Sequence, residues 1–158
     1  MKKIGLILLL GLFIGCNSSA QKKQNSDKYK ISKTDAEWRA ELTDLQYYVM
    51  RKEGTEPAFS SPLDKNFEKG IYVCAACETP LFKSENKFNS GTGWPSFDQE
   101  IKGNVAYSSG GNSYFGIEEH CAICGGHLGH VFNDGPRETT GNRHCINGVA
   151  LKFIPEDE

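Results

Sequence analysis

Gly70-Ile71-Tyr72-Val73-Cys74-Ala75-Ala76-Cys77 is the stretch on which the fold turns. A short apolar run reads as a strand, and it delivers the chain directly into a C-x-x-C pair. The same texture holds outward from Gly54 on. Tyr114 to Ile117 and Ile146 to Ile154 are further short apolar stretches, separated by Gly, Pro, Asn and Ser. Runs of this length, broken this often, predict a mainly β domain of antiparallel sheets. The one self-similarity is a second pair, Cys121-Ala122-Ile123-Cys124, so a solenoid is excluded.

Upstream of Gly54 the signals are helical. Thr34-Asp35-Ala36-Glu37 and Thr43-Asp44-Leu45-Gln46 both fit the capping box, in which a hydroxyl and a Glu or Gln satisfy orphan backbone donors. Two small N-terminal helices are expected, with Trp38, Leu42, Leu45 and Val49 forming an apolar stripe that packs on the sheets.

The first fifteen residues stand apart: Lys2 and Lys3, then an apolar run from Ile4 to Gly15, too short to span a bilayer but suited to export. Leu12-Phe13-Ile14-Gly15-Cys16 resembles a bacterial lipobox, so residues 1–15 are read as a lipoprotein signal peptide and Cys16 as the lipidated residue. Ordinary cleavage after Ala20 is the alternative. Residues 16–33 are polar and read as a flexible tether, leaving 34–158 as the folded domain. The expected location is the cell envelope of a bacterium, on the membrane by a lipid anchor alone. Removing residues 1–15 takes away two lysines and no acid, which moves the formal charge from −2 to −4. A mildly acidic chain with no long basic run is no nucleic-acid binder.

Two matched C-x-x-C knuckles can face one tetrahedral ion with four sulfurs, so a structural zinc site of Cys74, Cys77, Cys121 and Cys124 ranks first. Two disulfides, or a redox-active pair, are the alternatives in an exported protein. Cys145 is then left over. In Arg143-His144-Cys145-Ile146-Asn147 a strand would put Arg143, Cys145 and Asn147 on one face, where the guanidinium would lower the thiol pKa and favour the nucleophilic thiolate. Equally, Cys145 could be a core residue, since Val149, Leu151 and Phe153 continue that face as an apolar row.

His127-Leu128-Gly129-His130 offers two imidazoles that could supply a proton, but three residues apart they face opposite sides of a regular strand unless Gly129 permits a turn. Asp134, in the turn Asn133-Asp134-Gly135-Pro136, is placed to orient one of them. The loop Gly91-Thr92-Gly93-Trp94-Pro95-Ser96-Phe97 presents an indole that could line a small apolar pocket, although a Trp in a β domain is more often core.

From Trp38 to Phe153 these blocks, in order and spacing, resemble the B-type methionine sulfoxide reductases. They include Thr55-Glu56-Pro57, Leu81-Phe82-Lys83-Ser84, Ser90 to Phe97, both cysteine pairs, His127 to Phe132 and Arg143 to Asn147. The resemblance implies reduction of the R epimer of methionine sulfoxide in oxidised proteins, as protein repair. It implies Cys145 as the catalytic nucleophile, His127 and His130 as acid and hydrogen-bonding groups, and Trp94 as the surface holding the substrate methyl group. Asp134, Arg143 and Asn147 would position and polarise these. Many relatives carry a resolving cysteine where this chain has Thr92, so an external thiol reductant, thioredoxin-like or other, is the expected partner. Gly148 stands where serine is common in the family. Two rival functions remain, a zinc-stabilised binding module and a thiol-disulfide oxidoreductase using a C-x-x-C pair.

Overall fold

The computed structural model describes residues 28–109 and 116–157. The signal segment, Cys16, most of the tether and Tyr114 lie outside the described residues. Both capping boxes form, opening α1 (Asp35–Glu41) and α2 (Asp44–Lys52). Each threonine hydroxyl accepts from the third helical residue, which reaches back to the cap N–H, worth about 1 kcal/mol per helix. The stop at Leu42 resets the helical phase, so the expected stripe is not kept. Trp38, Leu42 and Val49 are buried, but Leu45 is 40% exposed and Tyr47 and Met50 take the inward places.

Nine strands follow among the described residues: β1 (Gly70–Cys74), β2 (Pro80–Lys83), β3 (Lys87–Phe88), β4 (Ser96–Phe97), β5 (Val105–Tyr107), β6 (Ile117–Cys121), β7 (His127–Phe132), β8 (Arg143–Ile146) and β9 (Leu151–Pro155). They form two antiparallel sheets, ordered β2-β1-β9 and β3-β4-β8-β7-β6-β5. Between them Phe82 stacks on Phe97 at 4.4 Å and Tyr72 meets Phe97 edge-on at 5.0 Å, the aromatic centre of the core.

The run Ile146 to Ile154 is not one strand. It leaves the larger sheet after Ile146, makes a 3-10 turn at Gly148–Ala150 and enters the smaller sheet as β9. Of the apolar row expected beyond Cys145, Val149 therefore falls in the turn, and Leu151 and Phe153 belong to the other sheet. Asn147 and Glu56 stabilise the crossing. The Asn147 amide accepts from Glu56 N–H at 2.9 Å and donates to Leu128 O at 3.0 Å, while the Glu56 carboxylate accepts from the N–H groups of Gly148 (2.5 Å) and Val149 (2.9 Å).

Residues 28–33, read as tether from composition, lie on the second cysteine knuckle. Ile31 N–H donates to Ile123 O at 2.9 Å, and the Tyr29 ring sits against Gly125 and edge-on to His120. Two aromatic or branched side chains in a polar stretch suffice to dock it. No described helix is long and apolar enough to cross a membrane.

Candidate active site

Strand register builds the site. Ser96 pairs with Cys145, Cys145 with His130, and His130 with Glu118, so four neighbouring strands contribute one cross-strand row on one face of the larger sheet. His144 and Ile146, one residue to either side of Cys145, point the other way and are fully buried. Thus Cys145 belongs to the outer row and not to the core.

His127 and His130 do share a face, with ring centroids 5.4 Å apart. A bulge achieves this, not a turn at Gly129. Between Glu119 and His120 the β7 partner moves from Gly129 to His127, leaving Leu128 as an extra residue that resets the alternation. Gly129 serves a different purpose, since a Cβ there would lie 2.0 Å from Cys145 O. Only glycine lets β7 approach β8 this closely.

Glu118 is the functional-row residue that sequence reasoning missed. His127 Nδ1 lies 2.9 Å from Glu118 Oε1, and Ser108 Oγ donates to Glu118 Oε2 at 2.6 Å. Burial opposes charge on Glu118, but the bonds from Ser108 and His127 outweigh it and hold the carboxyl below its ordinary value. With an ionised acceptor at Nδ1, His127 carries its proton there, and its buried Nε2 has no partner among the described residues. Burial and the neighbouring His127 push His130 down, so its imidazole is neutral at pH 7.

Asp134, expected to orient a histidine, instead takes both arms of Arg143. Nε donates to Oδ1 at 2.8 Å and Nη2 to Oδ2 at 3.0 Å, and the guanidinium lies over the Phe132 ring at 4.3 Å. The expected lowering of the thiol pKa is also overturned. Burial pushes Cys145 above its ordinary value, and Arg143 and Thr92 pull it back only in part. Asn147 is held by backbone at both ends of its amide, Oδ1 by Glu56 N–H and one Nδ2–H by Leu128 O.

The Trp94 loop runs beside this row. Thr92 Oγ1 is 4.0 Å from Cys145 Sγ, and Ile146 N–H donates to Pro95 O at 3.0 Å. The half-buried indole donates Nε1–H to Glu56 O at 3.2 Å, which fixes its plane. Gly148 also finds its reason, because a Cβ there would lie 2.4 Å from Ser61 Cβ. Serine cannot stand at 148 while Ser61 occupies that space.

The four paired cysteines form a separate cluster, with ligand atoms within 4.8 Å of one another. Cys74 and Cys124 sulfurs are 3.7 Å apart, Cys77 and Cys121 3.6 Å, and none is in a disulfide. A disulfide needs about 2 Å, whereas a tetrahedron of metal–thiolate bonds has edges of about 3.8 Å. The donor set fits a metal ion with a closed shell. Arg51 ties α2 to this cluster by donating to Cys124 O at 3.1 Å.

Comparison with known proteins agrees with this geometry. The SelR domain matches residues 42–155. Peptide methionine sulfoxide reductase MsrB of Leptospira interrogans is 52% identical over 131 residues, covering 81% of this chain and 98% of that protein. The enzyme of the same name from Methanosarcina mazei is 53% identical over 131 residues, covering 82% and 93%. Mouse mitochondrial methionine-R-sulfoxide reductase B3 is 44% identical over 143 residues, covering 89% of this chain and 55% of its own length. By fold, by its four-sulfur cluster and by these matches, the chain belongs to the SelR family, the B-type methionine sulfoxide reductases.

Proposed function

We propose that this chain is a peptide-methionine (R)-S-oxide reductase that repairs oxidised proteins with Cys145 as nucleophile. The observation that carries the reading is the cross-strand row, which sets the neutral His130 directly opposite the Cys145 thiol and backs it with the His127–Glu118 pair.

The thiol, protonated at rest, supplies the proton the reaction consumes. His130 accepts it as sulfur attacks the sulfoxide sulfur, and an imidazole of the pair returns it to the sulfoxide oxygen. The sulfur–sulfur bond formed by the attack breaks as the protonated oxygen passes from the methionine sulfur to the Cys145 sulfur, so that methionine leaves as a thioether and Cys145 becomes a sulfenic acid. Thiol plus sulfoxide thus gives sulfenic acid plus thioether, with atoms balanced. Trp94 holds the substrate methyl group against its fixed ring, while Arg143, braced by Asp134, offers charge to the sulfur.

Thr92 cannot resolve the sulfenic acid, and no internal thiol remains with the paired cysteines as metal ligands and Cys16 lipidated. A first external thiol therefore forms a mixed disulfide with release of water, and a second releases Cys145 as thiol. The ion that fits four thiolates in a closed tetrahedron is Zn2+, which supplies folding free energy and no catalytic step. The anchor reading rests on Lys2, Lys3, the apolar run to Gly15 and Cys16, and puts the enzyme on the bacterial envelope.

The deciding experiment is turnover of separate R and S methionine sulfoxide peptides with dithiothreitol. Selective R reduction, lost in Cys145→Ser, is expected. No turnover by metal-loaded protein would sink the enzyme reading in favour of a binding module, and redox cycling at Cys74 or Cys121 without metal would favour a thiol-disulfide oxidoreductase.

A further inference from the structure

Phe59 sits where its backbone argues against it. It is the third residue of the turn Pro57–Ser60, closed by Ser60 N–H to Pro57 O at 3.3 Å, and its φ is +62°. Glycine or asparagine is the ordinary occupant of that conformation, and a bulky aromatic there is strained. The side chain gains little burial in return, since Phe59 is 66% exposed. Among the described residues two other non-glycines have positive φ, and both have local reasons. Glu53 caps α2, and Glu78 turns the chain after Cys77. A bulky residue held in a rare conformation with its side chain in solvent is a mark of function.

Its place says which function. Phe59 N–H donates to Gly93 O at 2.7 Å, and Trp94 Nε1–H donates back to Glu56 O at 3.2 Å, so two crossed hydrogen bonds join the loop of Phe59 to the loop of Trp94. A Cβ on Gly93, itself at φ +91°, would lie 2.9 Å from Cδ2 and Cε2 of the Phe59 ring. The ring thus leans on bare Gly93 backbone, one residue from the indole, and extends that apolar surface outward.

We propose that Phe59 is a specificity-determining residue that receives an apolar side chain next to methionine sulfoxide in a polypeptide. This rests on the reductase reading above. On this reading a lone blocked methionine sulfoxide is held at Trp94 alone, and a residue beside it in an extended segment is held at Phe59. An apolar neighbour of the sulfoxide is therefore preferred over a polar one.

The test compares kcat/KM of the metal-loaded full-length protein for three R-epimer substrates with dithiothreitol. These are N-acetyl-methionine sulfoxide methylamide, a blocked peptide with leucine on both sides of the sulfoxide, and its serine counterpart. Burial of one such side chain predicts a preference of about tenfold for leucine over serine, expressed in KM. Phe59→Asn, which suits the left-handed backbone, should reduce that ratio to below about twofold, and Phe59→Leu should keep most of it. An unchanged ratio in Phe59→Asn, no preference in the parent, or an equal loss on all three substrates would overturn the proposal. The last would make Phe59 a support for Trp94 only. Failure of the parent to reduce even the blocked amino acid would overturn the reductase reading itself, and is seen before any flanking residue is compared.

Discussion

The sulfurs of Cys74, Cys77, Cys121 and Cys124 lie within 4.8 Å of one another, three of the four residues fully enclosed, while Cys145 stands alone in an outward-facing row beside His130 and Thr92. Both regions rest on antiparallel strands, and the difference lies in what defines them. The knuckles are local devices: two short turns each bring a pair of sulfurs together, and the sheets bring the pairs together. The Cys145 site has no local signature of that kind. It exists because four strands are in a particular register, one of them with an extra residue. One element serves as structural ligand where it is shared and enclosed, and as nucleophile where it is single and reachable.

The largest break in that comparison comes from exchanging one atom in each region. Cys145→Ser should lower R-sulfoxide turnover by at least about a thousandfold while leaving metal content and melting temperature near those of the parent. Cys121→Ser should do the reverse first, losing the bound metal and several kcal/mol of stability, on the order of what structural zinc contributes. Metal analysis, calorimetry and steady-state kinetics on both variants check this, and a Cys145→Ser protein that unfolds would merge the two regions.

Glu118→Gln sharpens the comparison from inside the row. The amide still reaches His127 but carries no charge, so it no longer fixes which nitrogen holds the proton. A fall of about tenfold to a hundredfold in kcat with an intact melting curve is expected. A change in KM alone would place Glu118 in substrate binding instead.

The smallest effect is a titration. Because burial outweighs Arg143 at Cys145, the rate of iodoacetamide alkylation should rise with pH along a curve displaced above that of an unperturbed cysteine. A curve displaced below it would mean that the guanidinium dominates and that the resting enzyme is a thiolate.

Much of this was legible before the fold was seen, wherever the signal is local. The capping boxes at Thr34 and Thr43, the antiparallel β domain and the two knuckles depend on residues within a few positions of each other. What was not legible depends on register. Alternation along β7 separates His127 from His130, and only the pairing with β6 reveals Leu128 as the extra residue. Glu118 carries no motif of its own. It could have been found only by asking which residue lies opposite His130 once β6 and β7 are aligned. The run beyond Cys145 looked continuous because apolar alternation does not record a change of sheet. Asn147 and Glu56, far apart in sequence, enforce that change.

The crossing from β8 to β9 bears on how the chain comes into being. β9 is the last of the described strands in chain order, yet it pairs along its whole length with β1, from Gly70 opposite Pro155 to Cys74 opposite Leu151. The strand before it carries the nucleophile and holds β4 to β7. Both sheets therefore depend on pairs of strands far apart in sequence, β1 with β9 and β4 with β8, and contacts separated by this much sequence form slowly. The hairpins of neighbouring strands, β1–β2, β5–β6 and β6–β7, can pair early, but the two sheets are not completed until β8 and β9 dock. Completion of the domain is thus a single late event, in which the strand that closes the smaller sheet arrives behind the strand that joins the halves of the larger one.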